Sequence, residues 1–405
     1  MKRSPLLPIF LIVLTDIFGF TLVIPLLAIY AERMSATPLQ ATLLVSVYAV
    51  CQLISGPILG GLSDRFGRKP MLLVSQVGTL IGFVILARAE SLWVMFVARI
   101  LDGATAGNIS IAQAYISDNT LPENRAKSFA VIGIAFGVGF FLGPFVTGQL
   151  ATHSLNAPVW AAAGLSLTSI LCTTFLLPGG APKAKASVDP GPGGQRVSVF
   201  RVSAYSPYFS RPVLGGLLVQ FLLFALSFST FTSGFALFAE RRFTWEGHPF
   251  TPREIGFLFA WAGFLGILVQ GFLGRLVKKL GESPLVMFGF AAMGTGYIGL
   301  AYAATPAQLV AVATVASIGN AVLRPSLSSL VSQQAGPHEQ GIVLGLNQSL
   351  SSVAQILAPI LGGYLIEHGF LAQWALVAGA ISFVGILAAR WGSQLVKRPR
   401  ALPIP

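Results

Sequence analysis

Apolar runs long enough to cross a lipid bilayer recur along this chain, separated only by short polar breaks. A bilayer-spanning helix needs roughly 20 mostly apolar residues. Twelve such runs are predicted, at 6–29, 40–62, 71–88, 92–117, 128–150, 158–178, 212–239, 253–277, 284–304, 306–333, 340–365 and 370–391. Only 10% of the residues are charged, against about 25% in soluble domains. The chain is therefore predicted to be an all-α membrane protein with 12 transmembrane helices.

The net charge of +12 follows from where the basic residues lie and does not indicate nucleic-acid binding. If every run crosses once, the basic clusters share one side of the membrane, at 2–3, 65–69, 125–127, 183–211, 275–279 and 397–400. The positive-inside rule makes that side cytoplasmic. We therefore expect an inner- or plasma-membrane protein with both termini in the cytoplasm.

An internal repeat divides the runs into two sets of six. A segment rich in Gly, Pro, Lys and Ser separates residues 1–178 from 212–405, and this segment, 179–211, has the composition of a flexible linker. One register relates three proline pairs, which are Pro70 with Pro284 at 214 residues, Pro122 with Pro337 at 215, and Pro144 with Pro359 at 215. The repeat predicts two pseudo-symmetric six-helix bundles whose rocking gives alternating access to a central cavity.

The loop between the second and third runs carries Gly-Gly-Leu-Ser-Asp-Arg-Phe-Gly-Arg-Lys-Pro at 60–70. It resembles the loop signature of the major facilitator superfamily. The resemblance implies a latch between the halves. In this latch, Arg68 pairs with Asp118, and Asp64 contacts the start of the eleventh run near 340–341. The expected latch residues are Asp64, Arg65, Gly67, Arg68 and Asp118. A simple cytoplasmic loop with a tight turn is the alternative.

The fifth run has glycines at spacings that let helices approach closely, and a proline that bends a helix. These residues are Gly133, Gly137, Gly143, Pro144 and Gly148. Taken alone, they fit ordinary packing between membrane helices. Their order resembles the antiporter signature of drug:proton exchangers, which favours an exporter over an importer.

Charged residues inside the membrane are the sharpest functional signal, because each costs on the order of 3 kcal/mol at the centre of a helix. Asp16 lies about 15 Å into the first run, near the midplane. Arg99 and Asp102 lie one turn apart on the fourth run, where they can pair. The first and fourth helices line the cavity of the superfamily fold, so the resemblance predicts that the three residues form one buried cluster.

A buried carboxyl group beside an arginine is suited to carry protons, because burial favours the neutral form and the arginine favours the charged form. Asp16 is therefore predicted to be the proton carrier or a cation-recognising group. Arg99 and Asp102 are expected to assist, although a structural pair that neutralises itself is the alternative. Thr15-Asp16-Ile-Phe-Gly19 resembles the first helix of tetracycline exporters, and Arg99-Ile-Leu-Asp102-Gly103 resembles a superfamily motif with an uncharged residue in place of Asp102.

Polar and aromatic residues on other cavity-lining helices are candidates for substrate contact. They are Asn108, Gln113, Gln220, Phe224, Phe228, Asn320 and Arg324, with Ser227, Thr230, Phe221 and Phe231 as weaker candidates. Such polar residues also serve as packing contacts between membrane helices. A lipid-facing aromatic stripe is equally consistent with the phenylalanine spacing.

No enzyme, metal or cofactor chemistry is indicated. The histidines, at 153, 248, 338 and 368, lack the spacing of a zinc site or a catalytic triad, and no nucleotide-binding motif occurs. Cys51 and Cys172 lie within apolar runs, where packing roles are expected. We expect no metal, no cofactor and a monomer whose partners are a small molecule, protons and the bilayer.

Taken together, the motifs resemble the twelve-helix drug:proton antiporters that include tetracycline exporters. The resemblance predicts export of small lipophilic, drug-like molecules, including cations, in exchange for protons. The third and ninth runs lack the further carboxylates of tetracycline exporters, which argues against a tetracycline–metal substrate. A metabolite or lipid transporter on the same fold and a non-transporting membrane sensor are the alternatives, and the intact loop signature argues against the sensor.

Overall fold

The computed structural model describes residues 6–119, 125–178, 206–334 and 340–397, and these are almost entirely helical. The helices are α1 (Leu6–Glu32), α2 (Pro38–Phe66), α3 (Arg68–Ala87), α4 (Leu92–Ala104), α5 (Asn108–Asn119), α6 (Arg125–Ala151), α7 (Ala157–Leu176), α8 (Ser206–Ser210), α9 (Pro212–Arg242), α10 (Pro252–Leu280), α11 (Glu282–Tyr302), α12 (Pro306–Gln333), α13 (Gln340–Glu367) and α14 (Leu371–Lys397). A two-stranded hairpin, β1 (Thr244–Trp245) with antiparallel β2 (His248–Pro249), joins α9 to α10.

Within these residues, 12 helical segments are long and apolar enough to cross a membrane, which confirms the predicted all-α membrane fold. The fourth segment, Leu92–Ile116, contains both α4 and α5. Each remaining segment lies in one long helix and matches a predicted run to within a few residues. The end of the predicted linker contains α8, whose Tyr208 packs in an apolar cluster with Leu218 and Val331. Residues 179–205 and His338 lie outside the described residues.

The break between α4 and α5 was not predicted. The sequence has no proline at 105–107, but Ser75 of α3 supplies the hydrogen bonds that the interrupted helix loses. The Ser75 hydroxyl donates to the carbonyl of Thr105 and accepts from the backbone N–H of Gly107 at 2.9 Å. Thr105 Oγ1 also donates to the carbonyls of Leu101 and Asp102. Because buried backbone groups need partners, these two side chains help to stabilise the interruption. Asn108, at the start of α5, lies beside Asp16 of α1.

Short sequence signals mark where helices begin, and the glycine pair at 67 and 281 follows the register of the internal repeat. Gly67 and Gly281 precede α3 and α11 with φ angles of 100° and 77°, a region that favours glycine. Thr37 and Thr305 cap α2 and α12 with the same capping box, each followed by a proline in the first turn. Both pairs show that short sequence signals determine where these helices start.

The chain forms two compact units. Unit 1 comprises residues 1–195 together with 232–264 and 359–369, and unit 2 comprises 196–231, 265–358 and 370–405. In unit 1, α1 packs against α6 and α7, while α2 and α3 pack against α4. In unit 2, α11 packs against α12 and α14. Unit 1 holds the charged residues that the sequence singled out in the first and fourth membrane segments.

Gly103 allows α2 and α4 to approach closely, and its replacement tests this packing. We expect Gly103→Ala to destabilise the protein by about 1–3 kcal/mol through overpacking, because the new methyl carbon would lie 2.6 Å from the Tyr48 carbonyl oxygen and 2.8 Å from Cβ of Cys51. Thermal unfolding of the purified protein measures the loss. Gly164→Ala is the matched control, since nothing lies within 4 Å of its added methyl group. Equal unfolding temperatures for the two variants would contradict the packing argument.

Candidate functional site

An ion pair and an aromatic ring lie together in the interior of unit 1. Arg99 Nη1 lies 2.8 Å from Asp102 Oδ2, one helical turn along α4, and both residues are 4% exposed. The guanidinium carbon of Arg99 lies 4.2 Å from the ring centroid of Tyr48 on α2. Arg99 is therefore held between a carboxylate and an aromatic ring.

Asp16 approaches this pair from α1 without a hydrogen-bonded partner among the described residues. Both of its carboxylate oxygens are buried and accept no hydrogen bond. Asn108 of α5 and Ser169 of α7 lie beside the carboxylate, and Asp102 is near enough to act on it electrostatically. Asn108 Oδ1 is also buried without a hydrogen-bond partner. A proton on Asp16, or a donor group of a ligand, would satisfy these neighbouring acceptors.

Neighbouring helices fix the cluster through small residues and side-chain hydrogen bonds. Gly82 of α3 lies so close to α4 that an added methyl group would be 3.0 Å from Asp102 Cβ. Thr79, also on α3, lies beside the Asp102 carboxylate. Ser169 accepts a hydrogen bond from Gln76 Nε2 at 2.7 Å. The charged groups thus occupy a site built by six helices, since α1, α2, α3, α4, α5 and α7 all contribute.

The structure places Arg99 against Asp102 and Asp16 near Asp102, while the roles predicted for the three residues stay predictions. Sequence reasoning missed Tyr48 and the Gln52 side chain that donates to its hydroxyl at 3.0 Å. Their spacing of four in an apolar run is a signal that would have found them, since such residues share a helix face. It also missed Thr79 and Ser169, for which the sequence carries no comparable signal.

The loop motif forms a compact network around one arginine. Arg68 contacts Asp118 at 2.9 Å and Asp64 at 2.6 Å, and its Nη1 donates to Ser63 Oγ at 2.6 Å. Gly67 makes the turn that brings this arginine to both acids. Arg65 is exposed. The expected meeting of Asp64 with 340–341 stays a prediction, because the side chains of those two residues are not described.

The glycines of the fifth membrane segment, α6, lie at close helix contacts. A methyl group on Gly143 would collide with Thr21 of α1, and one on Gly148 would lie 3.1 Å from the Arg253 carbonyl oxygen of α10. The Pro144 carbonyl oxygen lies against Gly256, also on α10. Gly137 is half-buried, and the surroundings of Gly133 lie outside the described residues.

The repeat produces a second contact of the same kind in unit 1. Pro359 of α13 is the counterpart of Pro144, and its carbonyl oxygen accepts a hydrogen bond from Thr42 Oγ1 of α2 at 2.8 Å. Glu367 Oε2 accepts from the backbone N–H of Leu39 at 3.0 Å, at the start of α2. An ion pair of 2.6 Å joins Glu32 to Arg241. These contacts connect α1 and α2 to the ends of α9 and α13 on the side predicted to face outward.

The predicted substrate residues fall into both units and have different surroundings. Asn108 and Gln113 belong to unit 1, where Gln113 is exposed, and the other five belong to unit 2. Gln220 and Phe224 are each 3% exposed, and Phe224 stacks on Phe228 with ring centroids 6.0 Å apart.

On α12, Asn320 Oδ1 is buried without a hydrogen-bond partner. Arg324 is exposed. The weaker candidates mostly pack within unit 2. Phe231 stacks on Tyr297 with ring centroids 4.8 Å apart, and Ser227 Oγ donates to the Ala378 carbonyl at 2.7 Å.

Among the described residues, 12 candidate membrane helices and the buried ionisable side chains of unit 1 indicate a multi-pass membrane transport protein. The family model of the Major Facilitator Superfamily matches residues 9–251 and 247–403. The chain therefore belongs to the major facilitator superfamily. The resemblance noted in the loop and in α6 is confirmed at the level of the family.

Curated relatives include resistance proteins. The chain is 32% identical to the tetracycline resistance protein, class C, of Escherichia coli, over 78% of each chain. It is 28% identical to multidrug resistance protein 2 of Bacillus subtilis (strain 168), over 93% of each. The predicted similarity to tetracycline and multidrug exporters is thus confirmed.

Solved structures share the fold. The nucleoside transporter NupG superposes with a TM-score of 0.74 at 15% identity, covering 98% of this chain and 100% of that one. The human organic anion transporter MFSD10 (TETRAN) gives a TM-score of 0.71 at 22% identity, covering 96% and 99%. The family and these neighbours are transporters.

Breaking the buried ion pair should destabilise the protein strongly. We expect Arg99→Gln to cost about 3–5 kcal/mol, because it leaves Asp102 as a buried carboxylate without its arginine. The double variant Arg99→Gln/Asp102→Asn should recover part of that loss, since no charge remains to be compensated. Thermal unfolding measures both, with the exposed Arg65→Gln as the control. A double variant no more stable than Arg99→Gln would show that the pair is not the source of the loss.

Proposed function

We propose that this protein is a secondary active transporter that exports small lipophilic, drug-like molecules in exchange for protons, with Asp16 as the proton carrier. The observation that carries the proposal is the Asp16 carboxylate, whose two oxygens are buried without a hydrogen-bond partner. It lies near Asp102, which forms an ion pair with Arg99. The resistance proteins among the relatives support export of drug-like molecules.

The charges of the cluster support proton exchange at Asp16. The cluster contains one arginine and two carboxylates, and the hydrogen bond of Arg99 goes to Asp102. A second ionised carboxylate in this interior would lack compensation, which is costly in a medium of low dielectric constant. A proton removes that cost, and a cationic or hydrogen-bond-donating group of a substrate removes it in another way. Proton and substrate can then alternate at Asp16, the arrangement that an exchanger needs.

Alternating access provides the route by which this exchange crosses the membrane. We propose that residues 1–178 and 212–405 form two six-helix halves that rock against each other, with 179–211 as a cytoplasmic linker. The glycine–proline contacts of α6 with α10 and the Thr42–Pro359 contact would close the outer side. The Arg68 network, through Asp64 and Asp118, would act as the latch on the cytoplasmic side. The protein would work as a monomer in the inner or plasma membrane, with both termini in the cytoplasm and no cofactor.

The substrate is expected to contact Asn108 and Gln113 in unit 1, and Gln220, Phe224, Phe228, Asn320 and Arg324 in unit 2. The stacked phenylalanines of α9 suit a ring compound. The placement of Arg324 favours a second candidate class, molecules that carry an anionic group, because a guanidinium binds carboxylates well. A panel of substrates must therefore include both cations and anions.

Exchange through Asp16 can be tested in proteoliposomes that hold a proton gradient. We expect internal pH to change when transported compounds are added, and we expect Asp16→Asn to abolish this change because its side chain cannot bind the proton. The panel is tetraphenylphosphonium, ethidium, tetracycline and carboxyfluorescein, with internal pH and compound flux recorded together.

The matched control is Glu90→Gln, which removes an exposed acid outside the cluster and should exchange like the wild type. Compound flux without proton movement, equal in the wild type and in Asp16→Asn, would overturn the proposal and favour a uniporter of metabolites or lipids.

A further inference from the structure

Tyr48 lies against the charged cluster although a phenol is a poor proton carrier near neutral pH. Its ring centroid is 4.2 Å from the guanidinium carbon of Arg99, and the residue is 7% exposed. Contacts between an arginine and an aromatic face are strongest where both are withdrawn from water. The ring covers one face of the guanidinium, while Asp102 takes a hydrogen bond from its edge.

The position of the Tyr48 ring is fixed by the packing of α2 on α4. The Tyr48 carbonyl oxygen lies against Gly103, at a distance that leaves no room for a methyl group. Two turns further along α2, Ser55 Oγ donates to the Gly103 carbonyl at 2.7 Å. Gln52 Nε2 donates to the Tyr48 hydroxyl at 3.0 Å. Backbone, neighbouring turn and hydroxyl together hold the ring over Arg99.

The groups that face Asp16 come from several helices, and few of them are charged. Asp102 of α4 and Tyr48 of α2 are near enough to interact with Asp16 electrostatically, and Arg99 lies beside both of them. The neutral Asn108 of α5 and Ser169 of α7 complete the surroundings. Neither α7 nor the part of α6 whose side chains are described, 134–151, contains an Asp, Glu, His, Lys or Arg. Among the described residues, Arg99 is therefore the cation of this cluster. Whether Asp16 has a counter-ion depends on where the Arg99 guanidinium is directed.

We propose that Tyr48 is a positioning residue, which holds Arg99 on Asp102 and so keeps Asp16 free of a counter-ion and able to bind a proton. Arg99 has donor capacity to spare, because its Nε is buried without a hydrogen-bond partner. Without the ring, the guanidinium turns toward the Asp16 carboxylate and stabilises its ionised form. The importance of this for exchange rests on the function proposed above.

The test measures the protonation of Asp16 directly and needs no transported substrate. Dicyclohexylcarbodiimide modifies protonated carboxyl groups in apolar surroundings, and mass spectrometry of the full-length protein in liposomes counts the modified Asp16 at each pH. We expect the pH of half-maximal labelling to fall by about one unit or more in Tyr48→Leu. In Tyr48→Phe the ring remains over Arg99, and labelling should follow the wild-type curve.

Three further variants separate positioning from a loss of structure. Adding Arg99→Gln to Tyr48→Leu should move the labelling curve back to higher pH, because no arginine is left to pair with Asp16. Tyr30→Leu removes a buried tyrosine of α1 away from the cluster and should leave the curve unchanged. If Tyr48→Leu does not fold, Tyr48→Met replaces the ring with an unbranched side chain and is expected to shift labelling in the same direction.

A folded Tyr48→Leu or Tyr48→Met protein with the wild-type labelling curve would overturn the proposal. An equal shift in Tyr48→Phe would also overturn it, because the hydroxyl and not the ring would then be responsible. Whether Asp16 mediates proton exchange is tested separately. If Asp16→Asn still exchanges protons, the function proposed for Asp16 falls, while the effect of Tyr48 on Asp16 protonation is measured all the same.

Discussion

The structure of unit 1 depends on keeping one arginine and two carboxylates inside a membrane. An isolated charge there is costly, so each ionisable group needs either a partner of opposite charge or, for a carboxylate, a bound proton. Arg99 and Asp102 compensate each other directly, and the Tyr48 ring stabilises the remaining face of the guanidinium. Asp16 has no such compensation, since both of its carboxylate oxygens are buried without a hydrogen-bond partner. This asymmetry between two aspartates of one cluster is what makes proton exchange at Asp16 a coherent proposal.

The close helix contacts around the cluster hold its polar side chains in position. Small residues let backbones approach, and the approach fixes where the long polar side chains can point. Gly103 places Tyr48 over Arg99, and Gly82 brings α3 against Asp102. The same principle operates at the ends of the helices, where Gly148 and Gly363 lie at the contacts of α6 with α10 and of α13 with α2. The internal repeat thus supplies two related contacts, one with Gly256 and the other with Thr42 facing a proline carbonyl.

The sequence predicted what local signals determine and missed what tertiary contacts determine. The membrane helices followed from hydropathy, the Arg99–Asp102 pair from a spacing of three, and the Arg68–Asp118 contact from the loop motif. The break at 105–107 could not be predicted, because hydrogen bonds that help to stabilise it come from α3. Tyr48 was missed for a similar reason, since its position over Arg99 depends on how α2 packs against α4. The sequence showed that Asp16 and Asp102 lie in membrane segments, but it did not show that only Asp102 forms an ion pair.

The account stands on the claim that Asp16 binds and releases the proton while the Arg99–Asp102 pair stays ionised. The most direct measurement is a pH titration by infrared difference spectroscopy, which follows the band of protonated carboxyl groups in the protein in lipid. The account predicts one titrating band that disappears in Asp16→Asn and remains in Glu240→Gln, where the acid removed is another with a buried oxygen lacking a hydrogen-bond partner. A titrating band that survives unchanged in Asp16→Asn would contradict the account, because the proton would then reside on another carboxyl group.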